Sequence, residues 1–440
     1  MRILIWGINY APEVTGIGPF NASMAEWLVS QGHEVEMVTA FPYYPEWRKQ
    51  PDDRSRLYRT DRVDGVHVHR CWHYVPRKVT ALKRMFHEAS FIVTSLLRVL
   101  TLKRADVLVA ISPPLPLGFP VWLVSRLWRR PYLFHVQDMQ PDAAVGLGML
   151  KPGMFTRLLY ALERFAYCKA AAVSGISDGM LTAFREKGVG DRRRVYFPNW
   201  VPDELPGAAG CAEAVAAKVS FCRRHGLPLD SFLLVYSGNV GVKQGLGVLL
   251  EAARRKGANP ARLSWVIAGD GAGKEALVEQ SRTEGVESVH FLPLQSEEGF
   301  AEMLVAADVA VITQQKGSGQ FFFPSKLLTV LGRAKPVLAV ADETSELARA
   351  VVAGRFGLVA PPGDPDAVMR AANEMAHAST GRMASWAASG LAWVSRFGRR
   401  VVLAEFEETL ARLAQSSKVA GVERRPAESA PAWLKAQHAK

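Results

Sequence analysis

The 440-residue sequence predicts an α/β protein of two Rossmann-like domains, each a parallel sheet wound by helices. Three observations predict it. Strand-like apolar runs alternate with helix-length amphipathic stretches from the first residues onward. The alternation restarts after "FPNWVPDELPGAAG", where Pro202, Pro206 and the glycines up to Gly210 mark a boundary. With 49% hydrophobic and 22% charged residues, the chain carries enough apolar material for two or three real cores.

In chain order, the first half offers strands at "RILIWGI", "HEVEMVTA", "GVHVHRC", "DVLVAIS", "YLFHVQD", "AAAVSGIS" and "RVYFP". The opening MRILIWGINY reads as a strand and not a signal peptide, since it lacks a long apolar run with a cleavage site. Residues 77–104 hold seven Lys/Arg and one acid, Glu88, around an apolar stripe of Phe86, Phe91, Ile92, Leu96, Leu97 and Leu100. Two readings fit that stretch: an amphipathic helix lying in a membrane interface, or a core helix with solvated basic ends. Residues 107–124 carry no charge and are long enough to span a membrane, but Pro113, Pro114, Pro116 and Pro120 break any such helix. A strand, a loop and a buried helix are expected there. The second half offers "SFLLVYSG", "LSWVIAGDG", "SVHFLP", "DVAVIT", "KPVLAV" and "FGLVAP". The expected division is 1–200 and 201–398, then a helix over 399–415 packing back toward the first domain. A disordered tail over 416–440 follows, polar and rich in Pro and Ala.

Net charge is +12, and residues 1–200 carry 27 Lys+Arg against 17 Asp+Glu, while the remainder carries 27 against 25. That asymmetry points the first half toward an anionic partner: a membrane surface, a nucleic acid or a phosphorylated substrate. Nucleic acid fits least, because the basic residues fall on predicted helices and loops instead of interleaving with aromatics on exposed strands. The four cysteines, Cys71, Cys168, Cys211 and Cys222, show no paired ligand spacing. Neither a zinc site nor a disulfide framework is expected, and a reducing cytosol fits.

Four motifs carry chemistry. In "NYAPEVTGIGPF", Gly16 and Gly18 lead from the first strand into a helix with Pro19 at its start, where a backbone can approach an anion. A dinucleotide fingerprint would need a third glycine and a tighter turn. In "VYSGNVGVKQG", Gly238, Asn239 and Lys243 follow a strand and suit a diphosphate, without the ending of a Walker A loop. In "WVIAGDGAGK", Gly269, Asp270 and Gly271 form a tight turn able to border a base or ribose. In "YLFHVQDMQP", His135 and Gln137 share one strand face and Asp138 ends it, placing polar groups where a substrate could be held. A fifth stretch, "GSGQFFFPSKLL", puts Ser325 and Lys326 at a predicted helix start behind Phe321, Phe322 and Phe323. A cation there opposes the helix dipole unless an anion joins it.

Taken together, "TGIG", "PNW", "YSGNVG", "GDG", "PSKLL" and "GLVAPPGDPDAV" resemble, in order, the family-4 glycosyltransferases of GT-B architecture. "GINYAPEVTGIG", "TAFPYYPEW", "HVQDMQPDAAVGLG" and "FPNW" are similar to the colanic acid glycosyltransferases of the WcaI type within that family. The resemblance spans about residues 1–415. It implies two facing domains with a nucleotide-sugar in the cleft, and a retaining transfer that needs no metal and no cofactor. It implies a GDP- or UDP-sugar donor and a lipid-diphosphate-linked oligosaccharide acceptor for exopolysaccharide. The protein would be cytoplasmic, peripheral at the inner face of the plasma membrane through residues 77–104. In site terms it implies a diphosphate held by Gly16, Gly18, Gly238, Asn239, Lys243, Ser325 and Lys326, with the nucleotide bordered by Gly269, Asp270 and Gly271. His135 and Asp138 would serve catalysis, and Phe321, Phe322 and Phe323 would wall the sugar, an apolar setting that suits fucose. Three departures stand out. The family's paired glutamates are replaced by Phe321 and Thr329, the family's strand-end His by Gln137, and the Arg that commonly pairs with the cradle lysine is replaced near Asn239. The alternatives are a nucleotide-sugar 2-epimerase of the same fold and a non-catalytic basic binding protein.

Overall fold

The computed structural model describes residues 1–14, 16–78, 80–146, 153–241, 244–255, 262–317 and 326–419. They fall into two units, Met1–Pro198 with the chain from Val402 onward, and Asn199–Val401.

The first unit has strands β1 (Arg2–Trp6), β2 (Glu34–Ala40), β3 (Tyr58–Val63), β4 (Val66–Cys71), β5 (Val107–Ser112), β6 (Tyr132–Val136), β7 (Ala172–Gly175) and β8 (Arg194–Tyr196). Its helices are α1 (Gly18–Ser30), α2 (Ala81–Leu100), α3 (Gly118–Trp128), α4 (Gln140–Gly146), α5 (Met154–Lys169) and α6 (Asp178–Glu186). The sheet order is β3-β4-β2-β1-β5-β6-β7-β8. All neighbours are parallel except β3 with β4. Central strands are continuous apolar runs because helices cover both faces of a parallel sheet. Thus Ile3 sits between Val35 and Val107, and β5 is buried throughout.

Three features here depart from the sequence reading. Strand β3, "YRTDRV", was not foreseen. It is an edge strand without an apolar face, tied down by Arg59 and Arg70 through Asp61 at 2.9 and 2.8 Å. Helix α3 is not buried as expected. Val121, Val124 and Trp128 face the core while Phe119, Leu123 and Leu127 face outward. Helix α2 fits neither of its two readings alone. Phe91 and Val99 enter the core, Ser95 Oγ accepts from Trp6 Nε1 at 3.0 Å, and Phe86, Leu97 and Leu100 remain exposed. Thr80 caps α2 by accepting from the Lys83 amide at 3.4 Å.

The second unit has strands β9 (Phe232–Ser237), β10 (Leu263–Ala268), β11 (Val289–Leu292), β12 (Val309–Thr313), β13 (Val337–Val340) and β14 (Gly357–Ala360). Its sheet is parallel, in the order β11-β10-β9-β12-β13-β14. Around it lie α7 (Cys211–His225), α8 (Gly247–Ala253), α9 (Lys274–Thr283), α10 (Glu297–Ala306), α11 (Lys326–Gly332), α12 (Glu346–Gly354), α13 (Pro365–Ala376) and α14 (Thr380–Val394). The last helix, α15 (Arg399–Val419), belongs to the first unit from Val402. There Phe406 stacks on Phe197 with centroids 3.8 Å apart and planes 9° off parallel, and Glu407 meets His33 Nε2 at 2.9 Å. Because α15 runs to Val419, residues 416–419 are helical, not the start of a disordered tail; residues 420–440 lie outside the described residues.

In each sheet the strand order reverses beside one strand: β1 lies between β2 and β5, and β9 between β10 and β12. Ligands of open α/β sheets bind beyond the carboxyl ends of strands at such points. The loops after β1 and β9 stand at these two points.

Candidate active site

Beyond β9 and β10 the chain builds a tight glycine junction. Gly238 takes φ +129° and Gly269 takes φ +147°, a region that L side chains rarely adopt. A Cβ on Gly269 would lie 1.8 Å from the Gly238 carbonyl oxygen. A Cβ on Gly238 would lie 2.4 Å from both Cε and Nζ of Lys326. The lysine is thus laid against the backbone where β9 ends. Gly238 N donates to Ala268 O at 2.8 Å, and Val240 N donates to Asp270 O at 2.8 Å, so the two loops are zipped together.

Lys326 Nζ donates to the Tyr236 hydroxyl at 2.8 Å, and that hydroxyl donates to the Asn239 carbonyl at 2.6 Å. Burial alone pushes the Lys326 ammonium down to about 8. Burial likewise pushes the Tyr236 phenol up. Among the described residues no carboxylate pairs with this ammonium, and a buried cation held by a phenol hydroxyl is chemically suited to an anionic ligand. The Asp270 carboxylate turns back to accept from the Gly271 amide at 2.8 Å. The structure therefore brings together Gly238, Asn239, Gly269, Asp270, Gly271 and Lys326. Lys243, Ser325, Phe321, Phe322 and Phe323 lie outside the described residues.

In the first unit, Gly16 takes φ +71° and Gly18 opens α1. Behind them sits Glu13, a buried carboxylate that the sequence reading passed over. It accepts from Asn9 Nδ2 at 2.8 Å and from the amides of Tyr43 and Tyr44 at 3.2 and 3.1 Å. Burial, partly offset by these bonds, pushes its carboxyl up. A cavity of about 470 Å³ opens beside it, lined among others by Glu13, Tyr43, Tyr44, Arg48 and Lys49. Burial pushes the Lys49 ammonium down to about 8, and it stands 4.7 Å over the Trp72 ring. The Tyr43 ring packs edgewise on His73 and His87, 5.0 and 4.7 Å away. Only folding could reveal this group, because the charges of Glu13 and Lys49 read as solvated loop residues in sequence.

His135 and Asp138 stand at the end of β6. The His135 ring is 1% exposed, and burial pushes it down to about 3, so it is neutral. Its Nε2 accepts from Gln137 Nε2 at 2.8 Å, which leaves the proton on Nδ1 to donate to Ser174 Oγ, also 2.8 Å away. The half-buried pair that follows the strand is Gln137 and Asp138. His135 is thus enclosed, with both nitrogens engaged, and Gln137 is the group it holds. Among the described residues, no three His, Cys, Asp or Glu side chains converge to hold a metal ion, and no helix is long and apolar enough to cross a membrane.

Comparison with known proteins matches this geometry to a family. Residues 15–200 match the glycosyl transferase 4-like domain, and residues 231–377 match glycosyl transferases group 1. The chain is 36% identical over 354 residues to the colanic acid biosynthesis glycosyl transferase WcaI of Escherichia coli (strain K12), covering 79% of this chain and 85% of that protein. It is 26% identical over 279 residues to the glycosyltransferase WbjE of Pseudomonas aeruginosa, covering 62% and 66%. Among solved structures, Anabaena HepE in complex with UDP aligns with a TM-score of 0.68 at 16% identity, covering 94% of this chain and all of that one. Sucrose-phosphate synthase from Thermosynechococcus elongatus aligns with a TM-score of 0.71 at 16% identity, covering 94% and 99%. These two show the fold. With the WcaI likeness and the two matched domains, they place the chain among the glycosyltransferases of GT-B fold, as an enzyme joining a family-4-like domain to a group 1 domain.

Proposed function

We propose that this enzyme moves a hexose from a nucleotide-sugar to a lipid-linked oligosaccharide, with retention and without a metal, in exopolysaccharide assembly. The observation that carries the reading is Lys326, a buried ammonium laid against Gly238 where β9 ends. The likeness to WcaI, named for colanic acid biosynthesis, supports the pathway class. The solved HepE complexes with UDP and with UDP-glucose support a nucleotide-sugar donor.

The chemistry follows from charge. The bond from the sugar's anomeric carbon to the diphosphate oxygen breaks, and the acceptor hydroxyl oxygen forms the new bond on the same face. The hydroxyl proton passes to the departing diphosphate, so no strong protein base is required. Negative charge grows on the leaving group, and preorganised cations and amides stabilise it most where water is excluded. Lys326, the backbone amides beyond β9, and Lys243 are the groups this reading assigns to that task. Gln137 and Asp138 orient the sugar or the acceptor, while His135 fixes Gln137 from behind. The cavity beside Glu13 offers the acceptor aromatic and polar walls. Residues 77–104 bring the enzyme to the membrane that holds the acceptor.

The test is incubation with a panel of GDP-, UDP- and dTDP-sugars plus lipid-linked acceptor, with product anomers read by NMR. Retained configuration in a glycosylated lipid supports the reading. The absence of both turnover and nucleotide-sugar binding would overturn it, and conversion of the free nucleotide-sugar without acceptor would replace it with an epimerase.

A further inference from the structure

The exposed apolar side chains of the first unit are not scattered. On α3, Phe119, Leu123 and Leu127 fall at i, i+4 and i+8 and are 52%, 41% and 58% exposed. On α2, Leu82, Phe86, Val93, Leu97 and Leu100 follow one outward stripe at helical spacing. On α5, Met154, Phe155 and Leu158 are exposed as well. The three helices are neighbours, since α3 packs against both α2 and α5. Rings join two of them: Phe119 lies 5.9 Å and Trp122 5.3 Å from Phe165 of α5. Exposed apolar stripes gathered on neighbouring helices mark an interaction site.

The charges on these helices are one-sided. Lys83, Arg126 and Arg157 are exposed. Helix α3 has no acid at all, and α2 and α5 have one each. Glu88 is neutralised by Arg84 at 3.1 Å, and Glu163 is buried against Lys187 at 2.5 Å. A basic rim around apolar stripes complements an anionic bilayer: the stripes enter the headgroup boundary and the cations meet lipid phosphates. A second copy of the chain is a poorer occupant, because an isologous contact would set this basic surface against itself.

We propose that α2, α3 and α5 together form one membrane-docking face for anionic lipid, with α3 at its centre. The proposal rests on the membrane reading above but moves the anchor from residues 77–104 alone to a face of three helices. In this arrangement the core side of each helix keeps the domain folded while its outer stripe enters the lipid. Docking therefore requires no unfolding and no spanning segment.

The experiment is flotation of the full-length protein with vesicles of equal parts phosphatidylcholine and phosphatidylglycerol, beside vesicles of phosphatidylcholine alone. Wild type is expected to float with the anionic vesicles and to be released by salt. The pair Leu123→Glu and Leu127→Glu lies outside 77–104 and is expected to weaken flotation about tenfold or more. Neutralising Lys83, Arg126 and Arg157 to Gln is expected to cost roughly fivefold per residue. The thermal shift with UDP is expected to persist in every variant, which separates lost docking from lost folding or donor binding. Flotation of the Leu123/Leu127 pair at the wild-type level overturns the proposal, as does failure of wild type to bind anionic vesicles. A dimer abolished by the same pair, without vesicle binding, also overturns it in favour of a second copy. Turnover on a detergent-solubilised acceptor without vesicle binding would sink this docking face while leaving the transferase reading intact.

Discussion

Lys326 Nζ lies 2.8 Å from the hydroxyl of Tyr236 and 4.2 Å from the centre of its ring, so a helix from late in the sequence reaches the side chain of the strand that opens the second sheet. The phenol hydroxyl is already committed to the Asn239 carbonyl. The ammonium is therefore held in place and partly desolvated, with no carboxylate paired to it among the described residues, which is the state a diphosphate would complete.

Replacing Lys326 by Met removes the charge and keeps the stem. UDP or GDP affinity is expected to fall about thirtyfold, roughly 2 kcal/mol, by isothermal titration calorimetry. The melting temperature is expected to hold or rise, because the cost of burying the ammonium is gone. Undiminished nucleotide affinity would remove Lys326 from the site.

The same lysine sets a pH dependence. Its folded value of about 8 lies below the ordinary 10.5, so the free enzyme loses this proton first, and a bound diphosphate favours the charged form. Affinity is expected to be level below pH 7 and to fall as pH rises through 8, by up to about tenfold per pH unit. Lys326→Met should flatten that limb; an unchanged limb would assign it to another group.

Gly269→Ala should destabilise the second unit by about 3 kcal/mol or more, measured by urea unfolding. The added Cβ meets the Gly238 backbone oxygen, which cannot rotate away as a side chain can, and the backbone angle is itself unfavourable. A loss under about 1 kcal/mol would mean that the junction of the two loops yields easily.

The sequence made the second sheet legible strand by strand, because its four central strands are short apolar runs buried on both faces and its half-buried edge strands β11 and β14 are largely apolar too. Strand β3 was not legible, since Arg59, Asp61 and Arg62 disguise it as loop and pairing with β4 alone makes it a strand. At the site, the glycines and Lys326 stood out by type and position. Tyr236 did not: it is 90 residues from Lys326, and as a strand aromatic it looked like ordinary core. Glu13 was hidden for a different reason. Its burial depends on amides of Tyr43 and Tyr44 some thirty residues away, a contact with no local signature.

Acid should destabilise the first unit through its histidines. Burial holds His135 down to about 3 and His87 to about 4, both below the ordinary 6.5. The unfolded chain takes up their protons first, so stability present above pH 6.5 is lost as pH falls toward 4, with a slope of about 1.4 kcal/mol per pH unit for each histidine involved. Urea midpoints between pH 7 and 4 would show it, and His135→Asn should reduce the slope. A flat profile in wild type would contradict the buried, neutral assignment.

Phe406→Ala removes one half of the stack on Phe197 and should cost the first unit about 3 kcal/mol. Hydrogen exchange should localise the loss to β8 and its neighbours and leave the β9–β14 sheet protected. Equal loosening of both sheets would contradict the assignment of α15 to the first unit.

That helix also constrains the order of events on the ribosome. Domains generally fold as units while the chain emerges, the amino-terminal one first. Here the first unit must wait. Leu403, Phe406 and Leu410, all buried in it, are synthesised only after the whole of 199–401. The second unit is a continuous stretch of chain and can close while translation proceeds. The enzyme's earliest-made half is therefore the last to be sealed, and a ribosome stalled before residue 402 would carry a finished second sheet beside an open first one.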